Sequence, residues 1–439
     1  MKKLNFRIWA LLVLATAFFT ACTDDDDPKD VKACFTFSPE ENIRVGDTVY
    51  FSNCSQEATE YAWNFGGSET SSEAEPFHVF TEPGSYEVSL VATNGSLQNK
   101  ATSTIEVTAD LAFIINAGSW SGDKSTITAY NKYADEVING YYKSANGLDI
   151  VSNIQFAYHY NGNIYFMGNE VDEVFYVNEN TFVQTKNSIN ENIVSPRYCQ
   201  GKGNYLYVSC WGGSVWADQS VSYIAKVNVT TNTVEKKIPM AGGPEGLAIA
   251  NNKLYAALNY KDSVAVMDLT TEAISYIALP AGNTPSYFEK DNHDNLYLNL
   301  GRRLSDYTTQ TGLGYINTTT DQIEATFSLD GVSSTSYVDV MAFNADFSKI
   351  YVMTSGFDAN WNVSGSVAVF DVATKTFDAS NLVEGISGIN GVGFYDDKVM
   401  YFVAPSVTGN GKMVAYREDG TKLKEYGTGI APFMILSAE

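Results

Sequence analysis

Beyond residue 110 the apolar positions come in short clusters separated by polar turns, and one cluster recurs. Its copies are Ile164-Tyr165-Phe166, Leu206-Tyr207-Val208, Leu254-Tyr255-Ala256, Leu296-Tyr297-Leu298, Ile350-Tyr351-Val352 and Met400-Tyr401-Phe402, with Ala112-Phe113-Ile114 as an earlier member. Phe113 stands 52 residues before Tyr165, and the tyrosines then step by 42, 48, 42, 54 and 50. Seven copies of about 47 residues are the size of four-stranded propeller blades. Ahead of each tyrosine cluster lies an apolar strand, often opened by Pro or Gly: 153–158, 195–200, 244–250, 285–290, 337–344 and 390–395. The first cluster, 112–117, has no such strand before it, and a spare one stands at 431–438. Pairing the two closes the ring and removes two sheet edges. Third strands (263–269, 366–372) and fourth strands (273–279) complete the blade.

Residues 31–108 show a different rhythm. Alternating segments at 33–38, 48–52, 60–65, 86–93 and 101–107, separated by Gly, Pro and Asn turns, predict a β-sandwich. The chain is therefore expected to be all-β: a sandwich at 31–108, then a seven-bladed β-propeller at 110–439.

This topology sorts the loops by face. With strands a to d numbered outward from the axis, d-to-a and b-to-c connections emerge on one face, and a-to-b and c-to-d turns on the other. The b-to-c loops carry Trp120, Trp211, Trp216, Tyr260, Arg302, Arg303, Tyr307, Phe357 and Trp361. The d-to-a connections add Arg197, Tyr198, Pro285 and Tyr287 to the same face. All four tryptophans of the propeller fall in one class of loop, and three of its four arginines map to the same face. Clustered aromatics and Arg mark a recognition surface. These residues, Pro285 apart, form the candidate ligand-binding set. His159 and His293 fall at a-to-b turns on the opposite face, and no nucleophile–base set, paired-His metal site or phosphate loop has usable spacing. A binding protein without cofactor or catalysis is expected, although propellers also host enzymes. Glu245 and Asp339 lie near the axis as polar plugs of the channel.

The 51 acidic and 28 basic residues give a net charge of −23, which argues against nucleic-acid binding and against adsorption to anionic membranes. With 13% aromatic and only 18% charged residues, the chain is not a disordered one. Residues 1–21 read as a signal peptide, basic at Lys2-Lys3 and apolar from Ile8 to Phe19, too short for a stable membrane span. Cys34 and Cys54, in neighbouring strand segments, can form a disulfide in an oxidising compartment, whereas Cys199 and Cys210 read as unpaired, buried thiols.

Three resemblances extend this reading. Thr20-Ala21-Cys22 resembles a bacterial lipobox, which implies acylation of Cys22 and a lipid anchor, with 22–30 as the tether. The acidic run 24–27 resembles the signal that displays Gram-negative lipoproteins on the outer face of the outer membrane. Trp63-Asn64-Phe65-Gly66, with Pro76-Phe77-His78-Val79-Phe80 and Pro83-Gly84-Ser85-Tyr86-Glu87-Val88, is similar to the PKD domain family. That family usually carries Trp-Asp-Phe-Gly-Asp-Gly; Asn64 and Gly67 depart from it, while the packing residues Trp63, Phe65 and Tyr86 remain. The resemblance implies a spacer.

Ser195-Pro196-Arg197-Tyr198, Gly242-Gly243-Pro244-Glu245-Gly246-Leu247 and Ser263-Val264-Ala265-Val266-Met267-Asp268 resemble the YncE-like, surface-layer-type propellers. Surface lipoproteins with such propellers capture vitamin B12 or ferric siderophores for TonB-dependent outer-membrane transporters. The resemblance implies that role here. A ferric tricatecholate is a trianion with aromatic faces and suits Arg197, Arg302 and Arg303 beside Trp211, Trp216 and Trp361; a corrinoid is closer to neutral. A glycan-binding or adhesin role is the competing class.

Overall fold

A computed structural model describes residues 30–41, 43–108, 110–119, 122–303, 309–329, 340–357, 363–406 and 408–437. Cys22 and the acidic run lie outside them. Two compact units meet at Val107/Thr108.

The first unit is a β-sandwich of two sheets. One holds Phe35–Ser38, Thr48–Asn53 and Phe77–Val79; the other holds Thr70–Ser71, Glu60–Asn64, Gly84–Asn94 and Leu97–Val107. The two pairing strands at 70–71 and 77–79 are too short to show as a period in the sequence. Trp63 is fully buried against Phe35, Phe51 and Phe65, and its indole N–H donates to the Glu73 carbonyl at 2.9 Å. Asn64 closes the turn after it: its Oδ1 accepts the Gly66 N–H at 2.9 Å. Cys34 and Cys54 form a disulfide.

The second unit is a seven-bladed propeller. The C-terminal strand Pro432–Ser437 pairs antiparallel with Leu111–Asn116, so the last residues supply the inner strand of the first blade. Blades 3, 4, 5 and 7 are regular four-stranded meanders, with inner strands Pro196–Lys202, Pro244–Ala250, Asn283–Lys290 and Ile389–Tyr395. Blade 2 keeps three strands, from Asn153–Tyr160 to Glu173–Asn178, and a single bridge, Val174 to Ile189, stands in place of the fourth. A six-residue helix, Tyr141–Asn146, sits between blades 1 and 2, bounded by left-handed Gly140 and Gly147. Cys199 lies opposite Val208, so it is out of register with Cys210, and both thiols are free and buried.

The recurring tyrosines are part of the core and also tie blades together. Tyr255 and Tyr351 are fully buried. The Tyr255 hydroxyl donates to Asp321 of the next blade at 2.5 Å, and Tyr351 donates to Glu418 at 2.7 Å. These acids sit in the turns between third and outer strands. Glu272 receives Lys226 and Lys236 of blade 3 in the same way, and Asp135 of blade 1 receives Lys424 and Tyr426 of blade 7. Asx turns set these acids in place: Asp268 accepts the N–H groups of Thr270 and Thr271, and Glu272 follows in the left-handed region. The carboxylates of these turns are therefore inter-blade staples.

Candidate binding mouth

The inner strands share a defect that aims side chains at the channel. In six of seven blades the register between inner and second strand shifts by one residue close to the loop face. A bulge leaves one residue outside the ladder and turns it. The shifts fall beside Gln155, Arg197, Glu245, Ser286, Asn390 and Phe433. Two blades use Gly as the following residue because the neighbouring blade's backbone comes close: a Cβ at Gly246 would lie 2.5 Å from the Ser286 carbonyl oxygen, and one at Gly391 only 2.1 Å from that of Phe433.

Four of these strands make one hydrogen-bonded arc. Arg197 donates through Nε and Nη2 to the Glu245 carboxylate, at 3.0 and 2.6 Å from Oε1, and through Nη1 to Gln155 Oε1 at 2.7 Å. Tyr287 donates its hydroxyl to Glu245 Oε1 at 3.0 Å. The side chains of Arg197 and Glu245 are only 16% and 4% exposed. Burial works against the Arg197 charge; Glu245, by charge and by hydrogen bond, more than offsets it and holds the guanidinium pKa above its ordinary value. Ser209 fixes the arc from behind, donating to the Glu245 backbone carbonyl at 2.7 Å.

Above the arc lies an aromatic platform. The Arg197 guanidinium sits 4.3 Å from the Trp211 ring centroid, a stacking contact available to a planar cation. Trp211 meets Tyr260 edge-on at 5.5 Å. Both are pinned by backbone: Trp211 N–H donates to Ser195, and Tyr260 N–H to Gly242. Trp216, in the same blade-3 loop, is 68% exposed. Leu148, Val151 and Val171, in connections of the same face, are exposed as well. The indole Nε1 of Trp211 and the amide Nδ2 of Asn299 are buried donors without a partner among the described residues. Such groups call for a water or a ligand.

The structure thus brings together Arg197, Tyr198, Trp211, Tyr260 and Tyr287, but in roles the sequence does not separate. Tyr198 and Tyr287 are buried, and Tyr198 stacks on Phe156 at 3.5 Å, so they are floor and not contact surface. Arg197 is compensated by Glu245 and so offers no free positive charge. Arg302, Arg303 and Phe357 are strand residues, not loop residues: the second and third strands of blades 5 and 6 run on past the blade as hairpins, Leu296–Arg303 with Thr309–Asn317 and Lys349–Phe357 with Val363–Asp371. Their backbones stand at this face; their side chains, and Trp120, Tyr307, Trp361 and Asp339, lie outside the described residues. Gln155 and Phe156 are the residues sequence reasoning missed. The recurring Pro before the bulge, in Pro196, Pro244, Pro285 and Pro432, is the signal that points to the re-aimed position.

The opposite mouth differs. His159 there contacts Glu179, and a cavity of about 250 Å³ opens among the a-to-b turns. Among the described residues no cluster of His, Cys, Asp and Glu could hold a metal ion.

Residues 35–109 match the PKD domain family. No curated protein matches the chain in sequence. Among solved structures, the chain is similar to a quinonprotein alcohol dehydrogenase-like protein from Bacteroides thetaiotaomicron, with 14% identity and a TM-score of 0.52 over 90% of this chain and 95% of that one. It is also similar to a hypothetical selenium-binding protein from Sulfolobus tokodaii, with 10% identity and a TM-score of 0.51 over 76% of this chain and 93% of that one. At such identities the likeness is one of fold alone.

Proposed function

We propose that this chain is a lipid-anchored protein of the outer-membrane surface. It captures a large ring-bearing ligand at the loop mouth of its propeller and passes it to a TonB-dependent transporter. The observation that carries the proposal is the Trp211 platform, with Arg197 stacked 4.3 Å from its ring centroid over a rigid, hydrogen-bonded arc. Rigid aromatics beside exposed Trp216 supply stacking area at little entropic cost, the usual basis of a binding hot spot. A ferric catecholate siderophore is the first ligand, with Arg302 and Arg303 supplying the positive charge. The proposal includes no catalytic step.

One observation favours a second ligand. Glu245 cancels the charge of Arg197, which leaves the floor of the mouth close to neutral. That suits a corrinoid better than a trianion. Equilibrium dialysis of the protein and of Arg302→Ala/Arg303→Ala against ferric enterobactin and cyanocobalamin separates the two. Ferric enterobactin retained by the protein and at least about tenfold less by the variant supports siderophore capture. Retention of cyanocobalamin alone, unchanged in the variant, supports the corrinoid. Retention of neither overturns the proposal.

A further inference from the structure

The cavity of about 250 Å³ lies at the far end of the channel from the tryptophans, and the proposed function makes no use of it. It is smaller than the ~300–1,000 Å³ of drug-sized sites, so it suits a small molecule. Its lining combines three kinds of group.

The first is positive charge. Lys202 ends the inner strand of blade 3, and its ammonium has no ion pair or hydrogen bond among the described residues. Other lysines of the turn face are held: Lys253 by Asp321 at 2.6 Å, Lys226 by Glu272 at 3.2 Å. Lys290 also lines the cavity and pairs with Asp294 at 3.0 Å. Two ammonium groups against one carboxylate give the cavity lining a net positive charge, in a chain whose net charge is −23.

The second is open amide chemistry. Asn251 and Asn252 spend their amide N–H groups on Thr318 and Thr270, at 2.7 and 3.0 Å. Their side-chain oxygens stay available to accept from hydroxyl groups. Gln200, whose amide carries a donor and an acceptor, lines the same space.

The third is an aromatic wall. Tyr158 lines the cavity, backed by Tyr160, whose ring centroid is 6.0 Å away and whose ring lies so close over Gly201 that a Cβ there would fall 2.4 Å from it. Tyr160 is locked by its hydroxyl, which donates to the Gly203 carbonyl at 2.6 Å. Ring faces of this kind take the C–H face of a sugar, while acceptors take its hydroxyls and ammonium groups its carboxylate.

We propose that this mouth is a second binding site, for a small sugar acid: one hydroxylated ring bearing one carboxylate. The carboxylate lies between Lys202 and Lys290, the ring lies along Tyr158, and the hydroxyls face Gln200, Asn251 and Asn252.

The test is calorimetric titration of the whole protein with glucuronate, and with glucose as its neutral counterpart. Glucuronate is expected to saturate one site and glucose to bind at least tenfold more weakly. Lys202→Gln, exposed and unpartnered, is expected to keep its thermal midpoint and to weaken glucuronate about fivefold, the scale of one solvent-exposed ion pair. Lys100→Gln, in the sandwich unit, should change nothing. No glucuronate binding, glucose binding as tight as glucuronate, or an unchanged affinity in Lys202→Gln would each overturn the proposal.

Discussion

The same inner strands build both mouths of the propeller, and the two ends carry opposite chemistry. At the loop mouth six of the seven strands begin with a bulge, and the polar groups there satisfy one another: Gln155, Arg197, Glu245 and Tyr287 form a closed set with no net charge. What remains for a ligand is ring surface and exposed apolar side chains. At the turn mouth the strands end in tight turns without bulges, and Lys202 and the Asn251 and Asn252 oxygens stay open. The difference teaches that position in the ring does not fix chemistry. A register defect decides whether charges meet each other or are left to meet a ligand.

The sharpest way to break this comparison is to remove one half of the closed set. Glu245→Ala leaves the Arg197 guanidinium buried without a counter-ion and should cost about 3–5 kcal/mol in urea unfolding. Replacing both residues by Met should recover most of that loss, because both desolvated charges then disappear together. A single variant as mild as the double would mean that the arc is solvated.

The next effect is on binding. Trp211→Ala should weaken the loop-mouth ligand by about 2 kcal/mol, near thirtyfold, and Trp216→Ala by less. Raising the salt concentration should weaken glucuronate at the turn mouth more than a near-neutral ligand at the loop mouth, since only exposed charge is strongly screened.

Smaller effects test the staples that hold the blades. Tyr255→Phe and Tyr351→Phe each remove a hydroxyl that donates to a carboxylate of the next blade. Each should cost about 1–3 kcal/mol in the same unfolding experiment.

The smallest expected effect is a pH dependence. Glu289 lies beside Tyr198 and Tyr287 on the channel side, and burial pushes its carboxyl up to about 8. The folded chain therefore keeps a proton that the unfolded chain releases near 4.5. Stability from this group is full below that value and is lost as pH rises through about 8. Glu289→Gln should leave the thermal midpoint unchanged at pH 5 and raise it by ~2–4 °C at pH 9, read by calorimetry.

Much of the fold is legible in the sequence because it repeats. A tyrosine cluster about every 47 residues, a Pro- or Gly-led strand before it and a spare strand at 431–438 lead to seven blades and their closure. The site is legible only as a face. Loop class places Trp211, Trp216 and Tyr260 correctly, but one pattern position cannot say whether a side chain points to solvent or to its neighbour. Tyr198 and Tyr287 turn inward because the bulge rotates them, and Arg197 meets Glu245 across blades that are 48 residues apart in sequence. The pairing of the acids of the outer turns is hidden in the sequence for the same reason: their partners, such as Tyr255 for Asp321, belong to another repeat.

The most direct test of the account is a tryptophan-fluorescence titration of the protein from residue 31 with ferric enterobactin and with cyanocobalamin, repeated for Trp211→Ala/Trp216→Ala and for Lys202→Gln. The account expects saturable quenching by one of the two ligands, abolished in the double tryptophan variant and unchanged in Lys202→Gln. Quenching by neither ligand, or quenching that survives loss of both tryptophans, would contradict the loop mouth as the capture site.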